Sequence, residues 1–313
     1  MELAAHWHRC QNLQKTSEYF LQQYTGGEMI LSRREALYFT SHDGNTAIVW
    51  RAAQSSSPGQ EFVLWSEPDA RFGDIVFAQV DGIWWGYFFK LATTTGSISI
   101  SRVPLTGGPA IDIGPQIENV DVANSHRNLV TDGVNLYWQD DVSVRKMPIR
   151  GGAVTVLDAT SPNTPTAGLA LQNGNVIYAS VAHIIHVPTS GAITSPLVRT
   201  IATASSRVTA LHAVSNGVYW GEQSGAIRLK VGSTTTTLPS TMGLVPTSIS
   251  TNGFTAGAAQ AWTQCSSQSC QLDFDFPVSN FSMQIGADAL GVTVTSSGNV
   301  FWGDAAGVHR QVF

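Results

Sequence analysis

The sequence predicts an all-β chain assembled from one repeated four-stranded unit. Three observations carry that reading. An aromatic dipeptide, or a close variant, recurs along the 313 residues. A tight-turn dipeptide precedes most copies of it. The charged fraction is 12%, about half the usual share, while Gly (29 residues), Ser and Thr are plentiful. Short strands joined by many turns use such a composition, and charged surface helices do not.

The aromatic anchors are Tyr38-Phe39, Trp84-Trp85, Tyr137-Trp138, Ile177-Tyr178, Tyr219-Trp220, Ala261-Trp262 and Phe301-Trp302. Between their second residues the spacings are 46, 53, 40, 42, 42 and 40. A period near forty is that of one four-stranded propeller blade. Asp81-Gly82, Asp132-Gly133, Asn173-Gly174, Asn216-Gly217, Asn252-Gly253 and Ser297-Gly298 precede six anchors, and Arg34-Glu35 stands at the first. Asx-Gly between apolar runs signals a two-residue hairpin, because a type I′ turn needs positive φ at both central residues. After the anchor strand comes an alternating third strand and then a second turn, as at Gly107-Gly108 and Gly151-Gly152. The expected architecture is a seven-bladed β-propeller of four-stranded blades. The aromatic rings would fill the wedges between blades.

The domain plan is a tail over residues 1–16 and one propeller over 17–313. The last repeat is short, because after Phe301-Trp302 only one more strand fits before Phe313. The strand-like run 17–24 is expected to pair with that strand, completing the final blade and closing the ring without an open edge.

Composition narrows the function classes. Net charge is −5 with no Lys/Arg run, which argues against a nucleic-acid partner. No stretch has the roughly 18 apolar residues of a membrane span. Residues 1–20 lack the apolar core of a signal peptide, so export implies a leader already removed. Cys265 and Cys270 bracket four residues and would face each other across a hairpin. A disulfide there points to a secreted or periplasmic location. The chain is expected to be a monomer.

No nucleophile elbow, P-loop, dinucleotide fingerprint or zinc-protease motif occurs, and no cofactor or metal is expected. His6, His8 and Cys10 have metal-ligand chemistry but fall in the tail. His183 and His186 point to opposite faces of a strand, so they cannot chelate one ion. His212 falls on an innermost strand, near the central channel. Asn280-Phe-Ser282 matches a glycosylation acceptor.

Leu136-Tyr137-Trp138-Gln139-Asp140, with Arg145 and Gly151-Gly152, resembles the YWTD repeat of LDL-receptor-type propellers. Val218-Tyr219-Trp220-Gly221-Glu222 and Val300-Phe301-Trp302-Gly303-Asp304 resemble it more loosely. The pattern is also similar to bacterial TolB-like propellers. The resemblance implies extracellular protein binding. It departs from the family in blade count, since YWTD propellers have six blades and seven anchors stand here.

Strand alternation fixes two faces. Loops joining second to third strands share one face with the links between blades; this is the connection face. The Asx-Gly and Gly-Gly turns share the other, the turn face. The long interval from Trp85 to Trp138 places its extra residues in 86–96 and 114–127, both on the connection face. Long loops on a compact scaffold commonly carry function. Tyr87, Phe88, Lys90, Asp121, His126 and Arg127 are therefore candidate ligand contacts, with burial of Phe88 and Phe89 in the core as the competing reading. Asp74, Asp121, His126, Arg207, Glu222 and Asp288 are candidates at the channel mouth, with His212 near the channel. Two functions remain open: binding of a protein or carbohydrate, or a lyase- or lactonase-type enzyme with a small-molecule substrate at that mouth.

Overall fold

The computed structural model of the chain describes residues 25–33, 36–43, 45–53, 62–117, 129–140, 143–159, 168–190, 200–214, 216–240, 243–251, 260–266, 269–276, 279–285, 291–294, 300–304 and 307–311. Every regular element among them is a β-strand.

Blade one comprises β1 (Thr25–Arg33), β2 (Ala36–Asp43), β3 (Thr46–Ala53) and β4 (Phe62–Glu67). Blade two comprises β5 (Ala70–Val80), β6 (Ile83–Ala92), β7 (Ile98–Pro104) and β8 (Ile111–Ile117). Blade three comprises β9 (Leu129–Thr131), β10 (Asn135–Gln139), β11 (Val144–Pro148) and β12 (Thr155–Asp158). Blade four comprises β13 (Leu169–Gln172), β14 (Asn175–Ser180), β15 (His183–Pro188) and β16 (Thr200–Thr203). Blade five comprises β17 (Val208–Val214), β18 (Gly217–Glu222), β19 (Ile227–Val231) and β20 (Thr234–Leu238). Blade six comprises β21 (Val245–Thr251), β22 (Gln260–Cys265), β23 (Cys270–Phe276) and β24 (Ser279–Ile285). The remaining sheet has three strands, β25 (Gly291–Val294), β26 (Val300–Asp304) and β27 (Gly307–Gln311).

The expectation of seven four-stranded blades is thereby corrected: six blades are complete. The seventh anchor, Phe301-Trp302, lies in the three-stranded sheet, so counting anchors overcounts full blades. Residues 17–24, expected to supply a further strand, lie outside the described residues. First strands neighbour one another in sequence order from β1 to β25, and β25 in turn lies beside β1.

Two of the expected Asx-Gly turns form as their chemistry requires, whereas Gly217 belongs to β18 and pairs with Val214, and Asn252-Gly253 and Ser297-Gly298 lie outside the described residues. Asp81 and Gly82 have φ of 52° and 80°, and Asn173 and Gly174 have 49° and 74°. These are the paired positive values of a type I′ turn. In blade three the Asp132 carboxylate instead accepts from the Val134 and Asn135 backbone N–H groups.

The core lies between sheets. Tyr137 packs against blade four, whereas Trp138 packs against blade two. Successive strand residues point to opposite faces, so a dipeptide serves both neighbours. This parity relocates one anchor. In blade two, Tyr87 faces blade three and Phe88 faces blade one, whereas Trp84 and Trp85 have the reverse arrangement. Register agrees. Phe88 lies opposite Ile75, as Trp138 lies opposite Leu129, Trp220 opposite Leu211 and Trp262 opposite Ile249. The anchor of blade two is Tyr87-Phe88, and the spacings around it become 49 and 50. Of the two stretches expected to hold the extra residues, 86–92 belongs to strand β6 of the long β5–β6 hairpin, and 118–127 lies outside the described residues.

Candidate functional site

The corrected anchors align a polar position two residues beyond each. It holds Ser41, Lys90, Asp140, Ser180, Glu222, Gln264 and Asp304 in turn. By strand parity the first six of these share the face that looks to the preceding blade, near its connection end. Asp140 is buried and binds Arg145, with Nε to Oδ2 at 2.6 Å. The Ser143 backbone N–H and hydroxyl donate to the same carboxylate. Glu222 is fully buried and accepts from Arg228 Nε at 2.8 Å, Trp220 Nε1 at 3.0 Å and the Ser205 hydroxyl. Burial opposes its charge, but these three donors outweigh burial and hold its carboxyl below the ordinary value. Gln264 donates to the Gly225 carbonyl of the preceding blade at 3.3 Å. Sequence reasoning missed this layer as a whole. Its one legible trace was the acidic residue after Tyr137-Trp138 and Tyr219-Trp220.

The expected contacts separate on this frame. Tyr87 and Phe88 are wholly buried between blades. Lys90 occupies the polar position of blade two and bonds Glu67 at 3.3 Å and Asp112 at 2.8 Å. Burial works against its charge, yet the two carboxylates prevail and raise its pKa. Arg207 is exposed in the link before β17, and its carbonyl accepts from Gln223 N. His212 is half-buried on β17, with its ring tilted against Tyr219 at 6.4 Å. Lys90 in blade two and Glu222 in blade five are each bonded within or beside their own blades, not to one another. Asp121, His126, Arg127, Asp288, His6, His8 and Cys10 lie outside the described residues, and Asp74 is described only as part of β5. Cys265 and Cys270 form a disulfide between directly opposed residues of β22 and β23.

The turn face has a different character. Phe62, Val63, Ile83, Ile111, Val134, Val156 and Val231 are exposed large hydrophobics at or next to strand ends on this face. All but Val231 belong to blades one to three. Val134 is 67% exposed and Ile83 48%. Between blades two and three, Arg150 reaches across to Asp81 in a bidentate pair at 2.6 and 2.8 Å. Beneath it, the Arg102 guanidinium stands 4.4 Å from the Trp85 ring centre. Arg102 is the cross-strand partner of Tyr87, and Trp85 is two residues from Tyr87 on the same sheet face. Burial raises the pKa of the Tyr87 phenol, with Arg102 and Arg150 acting in the opposite direction.

Among the described residues, no cluster of three metal-ligating side chains occurs, and no helix is long and apolar enough to cross a membrane. No family model and no curated protein sequence matches the chain. Solved structures do. The WD40 β-propeller domain of Doa1 superposes with a TM-score of 0.61 at 12% identity, covering 94% of this chain and 96% of that one. The extracellular domain of a putative one-component system, BT4673 from B. thetaiotaomicron, gives 0.61 at 12% identity over 96% of this chain and 40% of that one. Chaetomium thermophilum Raptor gives 0.61 at 11% identity, over 91% of this chain and 28% of that one. At these identities the likeness shows the β-propeller fold alone.

Proposed function

We propose that the chain is a non-catalytic binding propeller whose partner is a protein, docked on the turn face of blades one to three. The observation that carries this reading is that six of the seven exposed large hydrophobics at turn-face strand ends among the described residues belong to blades one to three, Phe62, Ile83, Ile111 and Val134 foremost. Surface hydrophobics scattered singly need no explanation, but a cluster rimmed by charged groups fits an interaction surface. Asp81 and Arg150 supply such a rim. On the connection face, two of the described candidates already have charged partners: Lys90 with Glu67 and Asp112, and Glu222 with Arg228. Two of the similar structures point the same way, one described as a WD40 domain and the other as an extracellular domain. The Cys265–Cys270 disulfide supports a secreted or periplasmic setting.

The test compares the wild-type protein with an Ile83→Asp, Val134→Asp double variant. Each is immobilised and exposed to the extracellular proteins of the source organism, and any retained protein is purified and titrated. The expected result is binding to wild type that weakens at least about tenfold in the variant, since buried apolar anchors at interfaces commonly cost over 1 kcal/mol each. Equal affinity for both forms would remove the turn face from the reading. Retention of glycans alone would make the partner a carbohydrate.

A further inference from the structure

Trp85 Nε1, Tyr87 Oη, Arg102 Nε and Arg102 Nη1 are all buried, and none makes a hydrogen bond of good geometry to a described residue, although Arg102 lies near enough to Tyr87 to act on its phenol. Eleven buried side-chain atoms share that condition, and four of them fall in these three adjacent residues. Native proteins leave few buried polar groups unsatisfied, so a local concentration calls for a cause. The four are alike in kind. Three are N–H donors. The fourth is a phenol whose burial keeps it protonated at neutral pH, so it can donate as well. They share the face of blade two that looks to blade three.

We propose that Trp85, Tyr87 and Arg102 build an anion-binding recess that takes a carboxylate, carried as an acidic side chain on the docked protein partner. The proposal rests on the protein-binding reading of the turn face. A guanidinium presents parallel N–H groups that match the two oxygens of a carboxylate, and the indole N–H and phenol add single donors beside it. The fixed charges agree. Asp81, an acidic group at the mouth, is held bidentately by Arg150 and is only within longer electrostatic reach of Arg102, so no carboxylate contacts the Arg102 guanidinium directly among the described residues. Arg150 and Asp81 are 62% and 68% exposed, so this clasp is well solvated and opens at little cost. Ile83 and Val134 stand on either side of the clasp, on the β6 start and the blade-three turn. A partner covering them would carry its acidic residue to Arg102 and exclude water from the pair.

The experiment uses the full chain labelled with 15N at tryptophan, with Trp85→Phe identifying the Trp85 indole resonance. Sodium acetate is titrated at constant ionic strength against sodium chloride, and inorganic phosphate in a parallel series. A saturable shift of the Trp85 resonance with acetate, absent with chloride, is expected. Arg102→Met should weaken the fitted acetate affinity at least tenfold. Tyr87→Phe keeps the buried ring and should weaken it by a smaller factor, and it serves alone if Arg102→Met does not fold. No saturable acetate shift, an equal shift with chloride, or a response to phosphate only would overturn the proposal. The two readings fail separately. Acetate binding with partner capture insensitive to Ile83→Asp, Val134→Asp would sink the docking face and leave the recess. Capture lost in that variant without any acetate binding would sink the recess and leave the docking face.

Discussion

Glu222 and Asp273 show how one repeat position sets the charge state of a carboxyl. Both are buried acids close to an anchor tryptophan. Glu222 has Arg228, Trp220 and Ser205 as donors, so its pKa is lowered. In blade six Gln264 takes the Glu222 position, and Asp273 sits across the sheet from Trp262, where Arg228 stands opposite Trp220. Burial raises the pKa of Asp273 and prevails over the bonds from Ser282 and Trp262. A carboxyl titration by NMR should therefore find Asp273 ionising above its ordinary 3.8 and Glu222 below its ordinary 4.5. For stability the signs are opposite. The folded pKa of Glu222 is depressed, so its contribution is complete above about 4.5 and is lost as pH falls through the lower folded value. Glu222→Gln should cost about 2 kcal/mol at pH 7, measured by urea unfolding, with the difference closing as pH drops below that window. A constant difference from pH 7 to pH 3 would mean that the charge contributes nothing. The raised value of Asp273 acts the other way, its ionisation costing stability as pH rises through its folded pKa.

At the scale of the strand, the sequence was legible wherever a backbone rule acted alone. Asx-Gly at 81–82 and 173–174 gave the expected turns because nothing else satisfies two successive positive φ values. The Cys265–Cys270 pairing was legible for a similar reason, since four intervening residues place them opposite one another. Reading failed where two patterns competed on one strand. Trp84-Trp85 and Tyr87-Phe88 both look like an anchor, and only side-chain parity against the neighbouring blades decides between them. The same tight sheet-to-sheet approach makes Gly221 sensitive. A Cβ there would meet the Pro246 ring of the next blade at 2.4 Å, a rigid group with nowhere to turn. At Gly86 the close contact would be with the Ile75 Cδ1 tip at 2.8 Å, with Ile75 Cγ1 and Leu105 Cδ2 at 3.3 and 3.4 Å. Gly221→Ala should cost about 1–3 kcal/mol by overpacking, and Gly86→Ala less, as Ile75 changes rotamer. Equal costs in chemical denaturation would show that the Pro246 contact relaxes freely.

For the molecule as a whole, cores belong to pairs of sheets. The cluster of Trp138, Tyr87, Phe89 and Met147 joins blades two and three; that of Trp220, Ile177 and Leu211 joins blades four and five; that of Trp302, Phe274 and Leu272 joins blade six to the three-stranded sheet. Polar ties repeat the pattern. Gln139 reaches the Ala179 carbonyl, Gln172 the Gly217 carbonyl and Lys146 the Thr189 carbonyl of the following blade. This explains why the repeat could be read while the blade total could not: an anchor records an interface, and the sheet that carries Phe301-Trp302 keeps its interface with three strands among the described residues. It also explains why the site stayed hidden, because Trp85, Tyr87 and Arg102 meet only once two strands of blade two are paired. A chain whose blades share every core should unfold as one unit rather than blade by blade. Trp138→Ala removes a fully buried side chain from the interface of blades two and three and should cost about 3–5 kcal/mol. The loss should lower one shared melting transition, with tryptophan fluorescence, far-UV circular dichroism and calorimetry giving the same midpoint. Were the interfaces independent, the variant would instead show an early partial transition confined to its first blades, with the remaining signal melting at the wild-type temperature. That split would refute the shared-core account.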